Sequence, residues 1–327
     1  MTVSSLWERF EAIGQDEAID ALAALRLPGI GTHFLAKGLA NEPVLLLRAS
    51  KRSVPRIPLG LRHIQIEFDV DCAVRDTTQV DAKATVSGTF CRATCDPGTA
   101  GLHPLFVHAL AGAAASLPSE LRPSEADHFF ECAVELFRAF TVPARTSVLG
   151  LWGELFFIAS APCRETVLAG WHVSPDQAFD FTFPHACVEV KTTARHNRQH
   201  EFALTQLRGA HLPVLVASIV AERSDTGESV YDLASVIQEG LTPANRAKLW
   251  RLVAESVGGD GEEAGELRFL RSAAANSLRF YAASELPTPE VPKAVVPCIS
   301  AVRFSLDLDL APTLAPLDES EVWQTLK

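Results

Sequence analysis

Asp180-Phe181-Thr182-Phe183-Pro184-His185-Ala186-Cys187-Val188-Glu189-Val190-Lys191 is the stretch on which the reading of this chain turns. FDFTF and CVEVK are short, aromatic and β-branched, and Pro-His-Ala between them is a turn. Together they predict two adjacent strands. Side chains alternate along a strand. Asp180 and Thr182 therefore share one face, with Phe179, Phe181 and Phe183 on the other. Cys187, Glu189 and Lys191 share a face, opposite Val188 and Val190. With the aromatic and valine faces turned to a core, one aspartate, one glutamate and one lysine are left together. Two neighbouring carboxylates repel unless a charge lies between them, and a hard divalent cation such as Mg²⁺ prefers such oxygen ligands. A metal can polarise a phosphate oxygen and activate water, and a lysine can stabilise developing negative charge. Acid, acid and base at this spacing suit phosphodiester hydrolysis. Taken singly, the same residues read equally well as a strand-edge aspartate and a solvated Glu–Lys pair.

Upstream, Ser147 to Cys163 is apolar except for Glu154, which is the one charged residue between Arg145 and Arg164. A helix apolar nearly all round is buried, and a lone buried carboxylate is costly unless paired or metal-bound. Three helices are expected between Leu105 and about Ala159, the second with a capping pattern at Ser124 and Asp127. After the hairpin come a helix around Ala203 to Gly209 and the strand VLVASIVAE. This succession reads as a mixed α/β core. Residues 43 to 95 read as strands ending at the Asp96-Pro97-Gly98 turn, and a first helix starts at Ser4 or Ser5. GGDGEEAGE reads as an exposed acidic loop, and SAVRFSLDLD as a closing strand. Two domains are expected, a β-rich module over 1–100 and an α/β domain over 101–327.

The pattern Asp180…Glu189-Val190-Lys191 resembles the PD-(D/E)xK nuclease signature. LGLWGELFFI, FDFTF, VEVKTT and LTQL together resemble an uncharacterised family of PD-(D/E)xK proteins from prokaryotic defence and repair gene clusters. The likeness is strongest over residues 147 to 210. It implies a restriction-endonuclease-like core, a mixed central sheet flanked by helices, with Mg²⁺-dependent cleavage of DNA and Mn²⁺ as a substitute. It also implies that Glu154 joins Asp180 and Glu189 at the metal, that Lys191 stabilises the transition state or positions water, and that Gln206 assists. The signature's Pro-Asp is absent before Phe181, and Asp176 of Pro175-Asp176 is an alternative to Asp180. A dimer, or a helicase or methyltransferase partner, is compatible with cutting both strands. The same fold could instead serve as an inactive DNA-binding or scaffold subunit.

The composition sets outer limits. The chain has 327 residues and a formal charge of −11. That acidity disfavours coating nucleic acid by bulk charge but leaves room for local basic patches. Lys191, Arg195, His196, Arg198 and His200 follow the hairpin with no acid among them, and Arg195 and Arg198 are candidate phosphate contacts. Arg48, Lys51, Arg52, Arg56 and Arg62 form a second acid-free stretch, with Lys51, Arg52 and Arg56 as candidates on a DNA-facing wall. Seven scattered cysteines suit a reducing cytoplasm. The opening MTVSSLWERFEAIGQDE lacks the features of a signal peptide. No run reaches the ~18 apolar residues of a membrane span, so no membrane partner is expected. Cys91, Cys95, His103 and His108 do not have the spacing of a common zinc finger, and Cys187 has no histidine placed to activate it.

Overall fold

The computed structural model describes residues 5–14, 21–29, 32–78, 85–173, 178–208, 211–290, 301–310 and 317–326. Asp176 lies outside them. The chain is mixed α/β and divides into two compact units, residues 1–144 with 257–266, and residues 145–256 with 267–327. The division therefore falls near residue 144 rather than 100, because the helical stretch after residue 100 packs with the N-terminal strands. Among the described residues, no helix is long and apolar enough to cross a membrane.

In the first unit, β1 (Leu22–Arg26), β2 (Phe34–Lys37), β3 (Pro43–Arg48), β6 (Thr85–Cys95) and β5 (Ile64–Asp76) pair in that order, and β4 (Leu59–Gly60) adds to β5. β5 also pairs in parallel with β1, Ala23 opposite Arg75, so five strands close on themselves. The 13-residue β5 is interrupted by a bulge between Glu67 and Val70, where Asp69 adopts a left-handed φ of 54°. Such bulges bend and twist long strands. Ala24, Phe34, Ala36, Val44, Leu46, Val74 and Phe90 form one apolar cluster of this sheet.

Two expectations fail in this unit. The Pro123–Arg138 helix is entered from Arg122, whose N–H donates to Glu125 at 2.8 Å, and not from Ser124. GGDGEEAGE is also not an open loop. It forms a 3₁₀ turn and the Gly261–Glu266 helix, with Gly258, Gly261, Ala264 and Gly265 buried and Glu262, Glu263 and Glu266 exposed. A Cβ at Gly265 would lie 2.1 Å from the Gly101 carbonyl oxygen, so the glycines are what let this acidic segment pack.

The second unit holds a four-stranded sheet in the order β12 (Arg279–Ala282), β10 (Val214–Val220), β8 (Cys187–Thr193), β7 (Phe181–Thr182). β8 and β10 are parallel, and the two outer strands are antiparallel to their neighbours. SAVRFSLDLD supplies β13 (Arg303–Asp307), which pairs with β9 (Gln199–Ala203) in a separate ribbon rather than with the main sheet. Both faces of β8 are covered. Val188 is fully buried, while Cys187 packs with Phe202, Leu207, Val216 and Tyr281.

The Val148–Ser160 helix is capped by Ser147, whose hydroxyl accepts from the Gly150 N–H at 3.1 Å. Leu151, Trp152, Leu155, Phe157 and Ile158 are all fully buried, as an all-apolar helix requires. Gly153 sets its distance from the sheet, since a Cβ there would lie 1.7 Å from Thr192 Oγ1. Gly153→Ala is expected to cost about 1–3 kcal/mol by overpacking. In a denaturant double-mutant cycle, Thr192→Ala should relieve part of that loss. Purely additive effects would show that the helix is spaced by something else.

Candidate metal centre

β7 and β8 carry the centre. Phe181 pairs with Val188 and Thr182 with Cys187, so the same register sets Asp180 beside Glu189. Asp180 Oδ2 accepts the Val190 N–H at 2.7 Å. Beyond β7, Trp171 bridges Phe181 in antiparallel fashion, and the His172 N–H donates to the Asp180 carbonyl at 3.1 Å. This pairing places two side chains that the sequence reading missed. The Trp171 indole N–H donates to Glu154 Oε2 at 2.8 Å, and His172 Nε2 lies 2.8 Å from the same oxygen. Their signal is tertiary: nothing in the spacing of GWHV to FDF marks them out.

Glu154, only 5% exposed, thus projects from its apolar helix towards the hairpin. Glu154, His172 and Asp180 each bring a ligand atom within 4.8 Å of the others. Glu189, 3% exposed, uses its two oxygens differently. Oε1 pairs with Lys191 Nζ at 2.8 Å and accepts from Gln206 Nε2 at 2.5 Å. Oε2 is buried with no hydrogen-bond partner. Gln206 lies in the Leu204–Leu207 helical turn and is fixed from behind. Its Oε1 accepts from the Ala203 N–H at 2.9 Å and from Lys191 Nζ at 3.3 Å. Lys191 also sits 5.2 Å from the Phe202 ring centroid, in cation–π range. A cavity of about 320 Å³ opens beside Lys191 and Gln206, lined also by Phe202 and Arg303.

The electrostatics follow from burial. The Asp180 carboxyl is pushed well above the usual carboxylate range, first by desolvation and then by Glu154 and Glu189. The Glu189 carboxyl is also raised by desolvation, against the opposing pull of Lys191. A clustered set of carboxylates with an orphaned, buried oxygen is short of positive charge. Its carboxylate oxygens are donors of the kind a hard divalent cation prefers.

The basic residues fare differently. Arg195 is exposed and donates to Gln199 Oε1 at 3.1 Å. Arg198, expected at phosphate, is instead 4% exposed. Its guanidinium donates to Ser218 O and Oγ, both at 2.9 Å, and to Ser277 O. It is a structural tie between β10 and the Ser277 carbonyl. His200 is buried against Ser218 Oγ, and burial with Lys191 and Arg198 nearby lowers its pKa to about 4, so it adds no charge at neutral pH. In the other unit Arg52 and Arg56 both pair with Asp127 and lie over the Phe68 ring. Their guanidinium groups are spent on that packing. Lys51 stays largely exposed, 3.9 Å from Asp71. Cys187 is a buried core thiol with its pKa raised by desolvation.

Among known proteins, the family model described as "Putative PD-(D/E)XK family member, (DUF4420)" matches residues 134–309, more than half of the chain and all of the clustered side chains. No curated protein and no solved structure matches.

A carboxylate whose folded pKa lies above its unfolded value adds stability below the unfolded pKa, and loses it as pH rises through the folded one. Asp180→Asn, whose side-chain oxygen can keep the Val190 hydrogen bond, is therefore expected to raise the Tm of chelator-treated protein at pH 7.5. Each kcal/mol relieved corresponds to about 2–4 °C in a domain of this size. The gain should fade as pH falls towards the ordinary carboxylate range. An unchanged Tm at pH 7.5 would mean that the cluster carries no electrostatic strain.

Proposed function

We propose, from the premise that this chain belongs to the PD-(D/E)XK family represented by DUF4420, that it is a divalent-metal-dependent deoxyribonuclease hydrolysing phosphodiester bonds in DNA. The observation that carries this reading is the buried, unpartnered Glu189 Oε2 beside Asp180 and Glu154. A folded chain has little reason to retain such a charge deficit unless a cation fills it. A scaffold subunit would have no need of it.

Glu154, Asp180 and Glu189 would supply the carboxylates that hold the cation. When bound, it supplies Lewis-acid polarisation of a phosphate oxygen and lowers the pKa of water. Lys191 presents a fixed ammonium beside Glu189, suited to the negative charge that grows on the phosphate oxygens as the water oxygen adds and the P–O bond to the leaving group breaks. Gln206 fixes both partners of the Lys191–Glu189 pair, so neither side chain has to be ordered when substrate arrives. The leaving oxygen takes up a proton, leaving a phosphate end and a hydroxyl end. Restriction, phage defence or repair are the roles such an activity suits. Cutting both strands calls for a second centre, from another copy or a partner enzyme.

Plasmid nicking measured with Mg²⁺ or Mn²⁺ tests the proposal. The wild type should cut, and EDTA should stop it. Asp180→Asn, Glu189→Gln and Lys191→Ala should each cut about 10²–10³-fold more slowly, the usual cost of losing a charge-stabilising group, while staying folded by circular dichroism. Cutting by all three variants, or metal-free wild-type cutting, would overturn the assignment. A wild type that binds DNA but neither cuts nor binds metal would favour the scaffold reading. Arg195→Ala should weaken DNA binding and reduce the salt slope by about one. Arg198→Ala should act through stability, because it strips carbonyls of a buried charged donor.

A further inference from the structure

We propose that His172 is itself a ligand of the metal centre, so that one cation is held by an imidazole nitrogen together with the Glu154 and Asp180 carboxylates. This rests on the preceding reading that the site takes a divalent cation, and it extends that reading to a residue outside the acid–acid–lysine set.

The trio is spaced closely enough to share one ion. Ligand atoms about 2.1 Å from a common ion lie roughly 3 Å apart at right angles and roughly 4.2 Å apart when opposed. His172 Nε2 is 2.8 Å from Glu154 Oε2, and the three ligand atoms all lie within 4.8 Å of one another. At the outer limit of that spread, the side chains would have to close by only about 0.6 Å to share one coordination sphere.

The backbone is committed to this placement. His172 has a left-handed φ of 41°, which costs a non-glycine residue about 1–2 kcal/mol. The strain is held by the His172 N–H to Asp180 carbonyl hydrogen bond and by the Trp171 bridge to Phe181. Both restraints aim the ring at Glu154. The side chain is 31% exposed, so a hydrated ion can reach it. Close by, Glu189 Oε2 is buried without a hydrogen-bond partner, and Glu154 and His172 both act electrostatically on the Glu189 carboxyl.

In the tautomer with hydrogen on Nε2, the ring donates to Glu154. In the tautomer with hydrogen on Nδ1, the Nε2 lone pair is free and would be the donor to a cation. Trp171 Nε1 continues to hold Glu154 Oε2, so Glu154 keeps its position through the exchange. A mixed nitrogen and carboxylate set selects ions that accept both. Mn²⁺ does, whereas Mg²⁺ and Ca²⁺ favour oxygen alone.

Affinity cannot separate a ligand from a residue that only orients one, since either loss weakens metal binding by about 10–100-fold. Nitrogen coordination can. Three-pulse electron spin-echo spectroscopy of the full chain with one equivalent of Mn²⁺ should show ¹⁴N modulation from a coordinated imidazole. The modulation should change to the ¹⁵N pattern in protein labelled with [¹⁵N]histidine, and vanish in His172→Gln that still binds Mn²⁺. The labelling arm needs no variant, so it stands even if His172→Gln fails to fold. Bound Mn²⁺ without nitrogen modulation, modulation indifferent to histidine labelling, or modulation surviving in folded His172→Gln would each overturn the His172 assignment and leave the metal-dependent reading intact. No Mn²⁺ binding by the wild type would overturn both.

Discussion

The gathering of three carboxylates, Glu154 and Glu189 buried and Asp180 half-buried, around a single ammonium is the constraint to which the second unit is fitted. Desolvation and mutual repulsion raise Asp180 and Glu189, and the local structure reads as a way of paying that cost. An all-apolar helix forces Glu154 inward, and Gly153 lets its backbone come within contact of Thr192 on the strand that carries Glu189. The short β7 begins at Phe181, and Asp180 just before it is held through its carbonyl by the His172 N–H. The Leu204–Leu207 turn exists in a conformation that sends Gln206 back to Glu189 and Lys191.

What could be read from the sequence was whatever depends on a local period. Strand parity put Asp180 beside Glu189 because Phe181 pairs with Val188, and side chains then alternate automatically. The isolation of Glu154 on an apolar helix needed no tertiary information either. Parity was silent on what covers each face, however. Cys187 shares the Glu189 face, yet the Phe202 and Leu207 side chains close over it. The run from Lys191 to His200 looked uniformly basic, but Arg198 and His200 turn inward and Arg195 and His196 outward. A charge count cannot see that alternation. β1, Leu-Ala-Ala-Leu-Arg, went unassigned because alanine and leucine carry no β preference. It is a strand because β2 and β5 flank it.

Trp171 and His172 were illegible for a different reason. They reach the centre through a single bridge to Phe181 and one main-chain hydrogen bond to Asp180, a pairing made by chain reversal and not by periodicity. A left-handed histidine also runs against the local preference of the residue, which is where functional constraint most often overrides propensity.

The three carboxylates share a feature that links the strain to chemistry. Each has one oxygen fixed by protein donors: Glu154 Oε2 by Trp171, Asp180 Oδ2 by the Val190 N–H, and Glu189 Oε1 by Lys191 and Gln206. A carboxylate pinned at one oxygen cannot rotate to relieve repulsion from its neighbours, so the strain persists in the folded state. The same pinning means that little reorganisation is needed when a compensating charge arrives, and preorganised charge is what a site for phosphoryl chemistry requires. Replacing these groups by neutral ones would therefore favour the fold and disfavour the chemistry, the trade between stability and activity expected where a site stores electrostatic strain.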